Sequence, residues 1–248
     1  MRNYCLEACV DSVESAIHAK NGGANRLELC GNLIIGGTTP SKGLFEQVKE
    51  RADMETRVLI RPRFGDFCYT EDEFQVLLKD VKHFVELGAD GIVVGMLKED
   101  GTLHMEQMKR VMDCVKDCKV TLHRAFDVCA DPIETLKQAK ELGVDTILTS
   151  GQADHCLHGA EVIKKLLEIA DGEIEILIGS GVNANVIEAI YPKTFGTSYH
   201  MSGKKVLDSK MIYRKEGVSM GLPSLSEFEL WQTDESEIQK AVAVLQRL

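Results

Sequence analysis

Hydrophobic and polar positions along the chain repeat with two periods. Short runs alternate with a period near two, and the longer segments between them repeat near 3.6. The run at 5–10 sets Cys5, Glu7 and Cys9 against Leu6, Ala8 and Val10. The run at 26–30 sets Arg26, Glu28 and Cys30 against Leu27 and Leu29. Successive side chains of a strand point to opposite faces, so each run carries one apolar and one chemical face. If the two strands are parallel neighbours, Glu7, Arg26 and Glu28 converge on one interior, with Cys9 and Cys30 at its rim.

The helical segments have readable starts. Val13, Ala16 and Ile17 predict a first helix beginning after Asp11 or Ser12, and Ser41 caps a second ahead of Leu44, Phe45 and Val48. Thr70-Glu71-Asp72-Glu73 reads as a capping box, with Phe74, Leu77, Val81 and Phe84 as the inner stripe that follows. Asp131-Pro132 opens another helix, since proline suits the first helical position. Further helices are expected at about 104–117, 159–170, 183–190 and 234–248, and strands at 57–61, 120–123, 174–178 and 195–200.

A repeated phrase sets the architecture. Gly23-Ala24-Asn25, Gly88-Ala89-Asp90 and Gly143-Val144-Asp145 each follow an amphipathic segment and lead straight into an apolar run. The glycine stands where a helix C-cap needs the left-handed conformation. The copies lie 65 and 55 residues apart, two βα units each, which puts them ahead of strands two, four and six. Regular βα alternation at this length predicts an α/β protein, a (β/α)8 TIM barrel forming a single domain over 1–248. Residues 201–232 are too long for an ordinary connection between the last strand and last helix, and are read as a lid or a subunit contact.

Composition narrows the function classes. A net charge of −10 without a Lys/Arg run argues against nucleic acid or an anionic membrane surface as the main partner. No run approaches 18 apolar residues and Met1–Cys5 has no apolar segment, which predicts a soluble, unexported, cytoplasmic protein. The eight cysteines are spread along the chain, with no C-x-x-C pair and no H-E-x-x-H. They read as free thiols, and no sequence-local metal cage is present.

Barrel active sites lie at the C-terminal strand ends. There the chain places Glu7, Glu28, His123, Asp127 and His200 as candidate acids and bases. Arg26, Arg61, Arg63, Arg124, Ser150 and the Gly179-Ser180-Gly181 turn are the candidate anion-binding groups. Arg61 and Arg63 share strand parity and would form a fork for a carboxylate or phosphate. The glycine turn after strand seven resembles a phosphate loop at a helix N-terminus. The competing reading makes Glu7, Glu28, Arg26 and Arg61 a structural interior network, and His123 a satisfied structural histidine. Cys9 and Cys30, on adjacent strands about 4.8 Å apart, would suit a soft ion such as Cu(I); as buried free thiols they would otherwise serve as small apolar residues. No organic cofactor is indicated.

At these residues the sequence resembles the CutC copper-homeostasis family. The stretches that carry the resemblance are 24–30, Gly36-Gly37-Thr38-Thr39-Pro40-Ser41, Ile60-Arg61-Pro62-Arg63 with 65–69, His123-Arg124-Ala125-Phe126-Asp127, and Leu148-Thr149-Ser150-Gly151-Gln152. Gly179-Ser180-Gly181-Val182 departs from an expected run of three glycines and valine. The resemblance implies a cytoplasmic barrel protein associated with copper handling, a homodimer or higher homo-oligomer, with Cys9 and Cys30 as Cu(I) ligands. The charged set at the mouth points elsewhere, to an enzyme acting on a small anionic metabolite through acid–base chemistry. Both readings go forward: copper ion or small anion as partner.

Overall fold

Each βα unit is built from signals local to the chain. In the computed structural model, Ser12 caps α1 (Val13–Gly22) and Ser41 caps α2 (Lys42–Ala52) by accepting a backbone N–H three residues on. Both halves of the Thr70/Glu73 capping box are present at the start of α3 (Glu71–Glu86). Asp131 accepts from the N–H groups of Ile133 and Glu134 to open α5 (Pro132–Leu142). Gly23 and Gly143 end α1 and α5 in the left-handed region, at φ of 93° and 78°, where a side chain would be strained. The structure describes residues 4–218, 220–221 and 225–248; residues 1–3, 219 and 222–224, and with them part of the long connection, lie outside the described residues.

Eight parallel strands close into a barrel in chain order, each pairing with the next and β8 with β1. They are β1 (Cys5–Val10), β2 (Arg26–Leu29), β3 (Thr56–Leu59), β4 (Gly91–Val94), β5 (Lys119–Leu122), β6 (Thr146–Thr149), β7 (Glu175–Ile178) and β8 (Ser198–Met201). The ring of helices is completed by α4 (Met105–Val115), α6 (Ala160–Ala170), α7 (Ala184–Thr194) and α8 (Glu235–Leu245). This is the expected (β/α)8 barrel. Its apolar core lies between strands and helices, where Leu6, Leu27, Phe45, Phe74, Phe84 and Ile92 are almost fully buried. The barrel interior is different: charged side chains fill its lower part.

Two edges differ from the sequence expectation. α7 runs on to Thr194 and β8 begins only at Ser198. Pro192 falls in the last helical turn, where its missing N–H takes one i→i−4 bond out of the helix close to its end. Phe195, expected in the strand, instead ends the helix at φ 57° with its ring exposed. The β3 ladder closes at Leu59, short of the expected Arg61. The chain after it is still tied in, with Ile60 N–H donating to Val93 and Thr39 N–H donating to the Arg61 carbonyl.

The long connection forms an arm of two antiparallel strands, β9 (Lys204–Asp208) and β10 (Glu229–Thr233). Lys204 Nζ lies 3.0 Å from the centre of the Trp231 ring, a cation–π contact. The base of the arm is fixed to α1: Thr233 N–H donates to Ser15 Oγ, and the Thr233 carbonyl meets His18 Nδ1 at 2.9 Å.

Candidate functional site

Strand register stacks the interior charges. Glu7 stands opposite Arg26 on β2 and opposite His200 on β8, and Cys9 stands opposite Glu28. At the base, Arg57 donates to the hydroxyls of Thr121 and Thr146, both at 2.8 Å. Gly91 makes room for it: a Cβ there would come within 2.7 Å of the Arg57 side chain. Arg26 pairs with Glu7 and, at 3.1 Å, with Glu175. Glu7 then bonds His200 Nδ1 at 2.8 Å. A chain of alternating charge thus climbs from the barrel base to the mouth.

This stacking sets the protonation states. Burial alone would raise the Glu7 carboxyl, but the His200 hydrogen bond and the Arg26 charge outweigh it and hold it down at about 2. Glu28 is pushed up by burial, with the Glu7 charge adding to it. Burial works against a charged His200, yet the Glu28 carboxylate and the Glu7 bond raise it above its ordinary value.

The upper end of the column is a donor cluster. Cys9 Sγ lies 3.0 Å from Glu28 Oε2, and His200 Nε2 lies 3.7 Å from the same oxygen. One donor atom from each of Cys9, Glu28 and His200 lies within 4.8 Å of the others, an arrangement able to hold a metal ion. Cys30 Sγ stands 3.9 Å from Cys9 Sγ and is fully buried beneath Leu59 and Val93. Two thiolates sharing one ion at about 2.3 Å each are separated by roughly this distance. Glu7 holds Nδ1 of His200 and leaves Nε2 for the cluster, the carboxylate–imidazole arrangement that orients metal-binding histidines. The Cys9 thiol is pushed well up by its contact with Cys30, by burial and by the Glu28 charge, so a metal entering here would displace a proton.

A cavity of about 130 Å³ opens beside these donors. Leu33, Leu59, Phe67 and Leu148 form its apolar wall, and Arg61, His123 and Arg124 its polar one. An adjoining cavity of about 290 Å³ shares Cys9, Arg124 and His200 and reaches Ser180 and Gly181. Of the long connection, Met201 and Ser202 line the second cavity, and no described residue between 204 and 232 lines either one.

The other expected site residues divide. Arg61 and His123 are both buried at the mouth. Gly95, directly after β4, gives His123 its space: a Cβ there would fall 2.6 Å from the imidazole. Arg63 corrects the expected fork. Its guanidinium turns away to Glu73 at 2.6 Å and Asp66 at 3.0 Å, and lines neither cavity. Arg26 is also placed differently, inside the barrel and neutralised by Glu7 and Glu175 instead of facing a ligand.

Asp127 lies away from the mouth. It accepts from the Thr149 hydroxyl, from the N–H groups of Ser150 and Gln152, and from Arg124 Nε. Ser150 completes this knot by donating its hydroxyl to Asp127 and accepting from Arg124 at 3.0 Å. Neither Asp127 nor Ser150 lines the cavities. Gly179 packs against Leu148, and Ser180, left-handed at φ 73°, donates to the Asp154 carbonyl. The space a side chain on Gly181 would need is taken by the His155 ring.

Sequence reasoning missed two kinds of residue. One is the interior pair Arg57 and Glu175, whose signal is a lone charge inside an otherwise apolar run. The other is the apolar wall. Phe67, in the quoted 65–69 stretch, places its ring 4.8 Å from that of His123 and 5.0 Å from the Arg61 guanidinium carbon.

Residues 4–205 match the model of the CutC family. A family protein CutC of Parabacteroides distasonis is 43% identical over 236 residues, covering 94% of this chain and 97% of the relative. A human copper homeostasis protein cutC homolog is 39% identical over 246 residues, covering 99% of this chain and 90% of the relative. The crystal structure of CutC from Streptococcus agalactiae superimposes with a TM-score of 0.76 at 29% identity, covering 81% of this chain and 99% of that one.

Proposed function

The chain belongs to the CutC family, and on that premise we propose that it takes part in copper homeostasis by binding Cu(I) through Cys9 and Cys30, with His200 and Glu28 at the same ion. The observation that carries this reading is the 3.9 Å separation of the two sulfurs beside the Cys9–Glu28–His200 cluster. Soft thiolates and an imidazole suit Cu(I), while the Glu28 carboxylate is the harder ligand of the set. All eight cysteines are free, which supports a reducing compartment such as the cytoplasm. Among the described residues no helix is long and apolar enough to cross a membrane. The exposed apolar residues of the arm support a homo-oligomer contact.

Titration of the reduced protein with Cu(I) against a competing chelator tests the site. Cys9→Ser and Cys30→Ser should each remove tight binding, and Glu7→Gln should weaken it roughly 10–100-fold by releasing His200. Unchanged affinity in Cys9→Ser, or tighter binding of Zn(II) than of Cu(I), would reject the assignment.

A further inference from the structure

Arg61 is a buried cation without an anion. It is 8% exposed, its terminal nitrogens donate to the carbonyls of Gly36, Gly37 and Gly65, and the Tyr69 hydroxyl lies beside it. No described carboxylate lies within ion-pair distance of it, whereas Arg26, Arg57, Arg63 and Arg124 each have one. A buried guanidinium costs stability unless a negative charge faces it. Its Nε has no hydrogen-bond partner.

His123 shows the same deficit from the neighbouring wall. Its Nδ1 accepts the Ala125 N–H at 3.1 Å, so the ring proton sits on Nε2, and that buried nitrogen has no partner either. Burial and the Arg61 charge push the imidazole down to about 3, so it is a neutral donor at any physiological pH. Of the five buried side-chain polar atoms left unpartnered among the described residues, these two are carried by residues that line one cavity, each atom covered at its wall.

We propose that this cavity binds a small organic monocarboxylate, its oxygens accepting from Arg61 Nε–H and His123 Nε2–H and its apolar body lying against Phe67, Leu59 and Leu148. One unneutralised positive charge and two spare donors match a carboxylate, with one charge and two oxygens, better than a dianionic phosphate with three. The backbone carbonyls already hold the guanidinium fork, so recognition falls to Nε and the imidazole. This site goes beyond the copper reading and does not depend on it. Cys9, Glu28 and His200 line the same cavity, so an acid and a metal would share one compartment.

The test uses reduced, metal-free protein, so that failure of the copper site and failure of this one are read separately. In ¹H–¹⁵N spectra of the parent chain, acetate, isobutyrate and phenylacetate should each move the Arg61 Nε–H and His123 Nε2–H signals saturably, with sulfate and phosphate failing to compete. Arg61→Lys keeps the charge but not the donor, and His123→Phe keeps the ring but not the donor. Each should weaken carboxylate binding at least about tenfold while Cu(I) binding remains. If either variant does not fold, the parent spectra decide. Signals unmoved by all three acids would overturn the proposal, as would equal response to sulfate and phosphate.

Discussion

Arg26 sits where a barrel core would ordinarily place a branched aliphatic, and it persists because two carboxylates face it. Glu7 supplies one and Glu175 the other, and the Thr146 hydroxyl donates to the same Glu175 oxygen at 2.8 Å. Burial would raise Glu175, but the Arg26 charge and its hydrogen bonds hold it below the usual carboxylate range. A carboxyl depressed on folding contributes stability above its unfolded value, near 4.5, and loses it as pH falls through the lower folded value. Glu175→Gln should therefore cost about 1–3 kcal/mol at neutral pH, with the gap to the parent closing as pH falls below about 4.5. Urea unfolding across pH 3–7 reads this directly. A gap that stays constant over that range would mean Glu175 stabilises the fold by shape and not by charge.

At the scale of elements, the knot around Asp127 joins two βα loops. Arg124 to Val128 forms a short 3-10 turn after β5, and Asp127 reaches from it to the end of β6, taking the Thr149 hydroxyl and two backbone N–H groups. The knot holds the segment carrying Arg124 and His123 against the mouth, so Asp127 positions where it was expected to react. Replacing it with asparagine puts an amide donor against backbone donors. Asp127→Asn should lower stability by about 2–3 kcal/mol, measured by chemical denaturation, yet leave Cu(I) affinity within about twofold. A stable variant with lost ligand binding would return Asp127 to the chemistry. The contrast with Cys9 and Glu28 shows what the sequence could and could not tell. Strand alternation put Cys9 and Glu28 on one face because β1 and β2 are regular through those positions, while His200 was read only from its place at the end of strand eight. The same parity argument failed for Arg63, because the β3 ladder stops at Leu59 and Pro62 follows. Alternation fades past the end of a ladder: Arg61, two residues beyond it, still reaches the mouth, and Arg63, four beyond, does not. Asp127 was legible only in part: Arg124 stands three residues away, but Thr149, Ser150 and Gln152 lie more than twenty residues on, across a contact no local pattern encodes.

For the whole molecule, the arm is the part the barrel does not require. A two-stranded hairpin is marginal alone, and this one is fixed at its base by Thr233 against α1 and clasped by Lys204 over Trp231. Along it, Val206, Met211, Tyr213, Val218 and Leu230 are exposed, and Ile212 is 98% exposed. Large apolar side chains exposed along one element are what a subunit contact would cover. A second copy of the chain, offering the same apolar arm, would cover these residues in a closed symmetric contact. Light scattering on the eluting parent protein should give at least a dimer at micromolar concentration. Ile212→Glu combined with Leu230→Glu should give a monomer, because each copy would bring two buried carboxylates into the interface. Cu(I) affinity should survive the change, since no described residue of the arm lines the mouth cavities. A parent that remains monomeric at a hundred micromolar would remove the self-association reading. Loss of Cu(I) binding in the double variant would instead tie the arm to the mouth, and give it a role in shaping the site from outside the barrel.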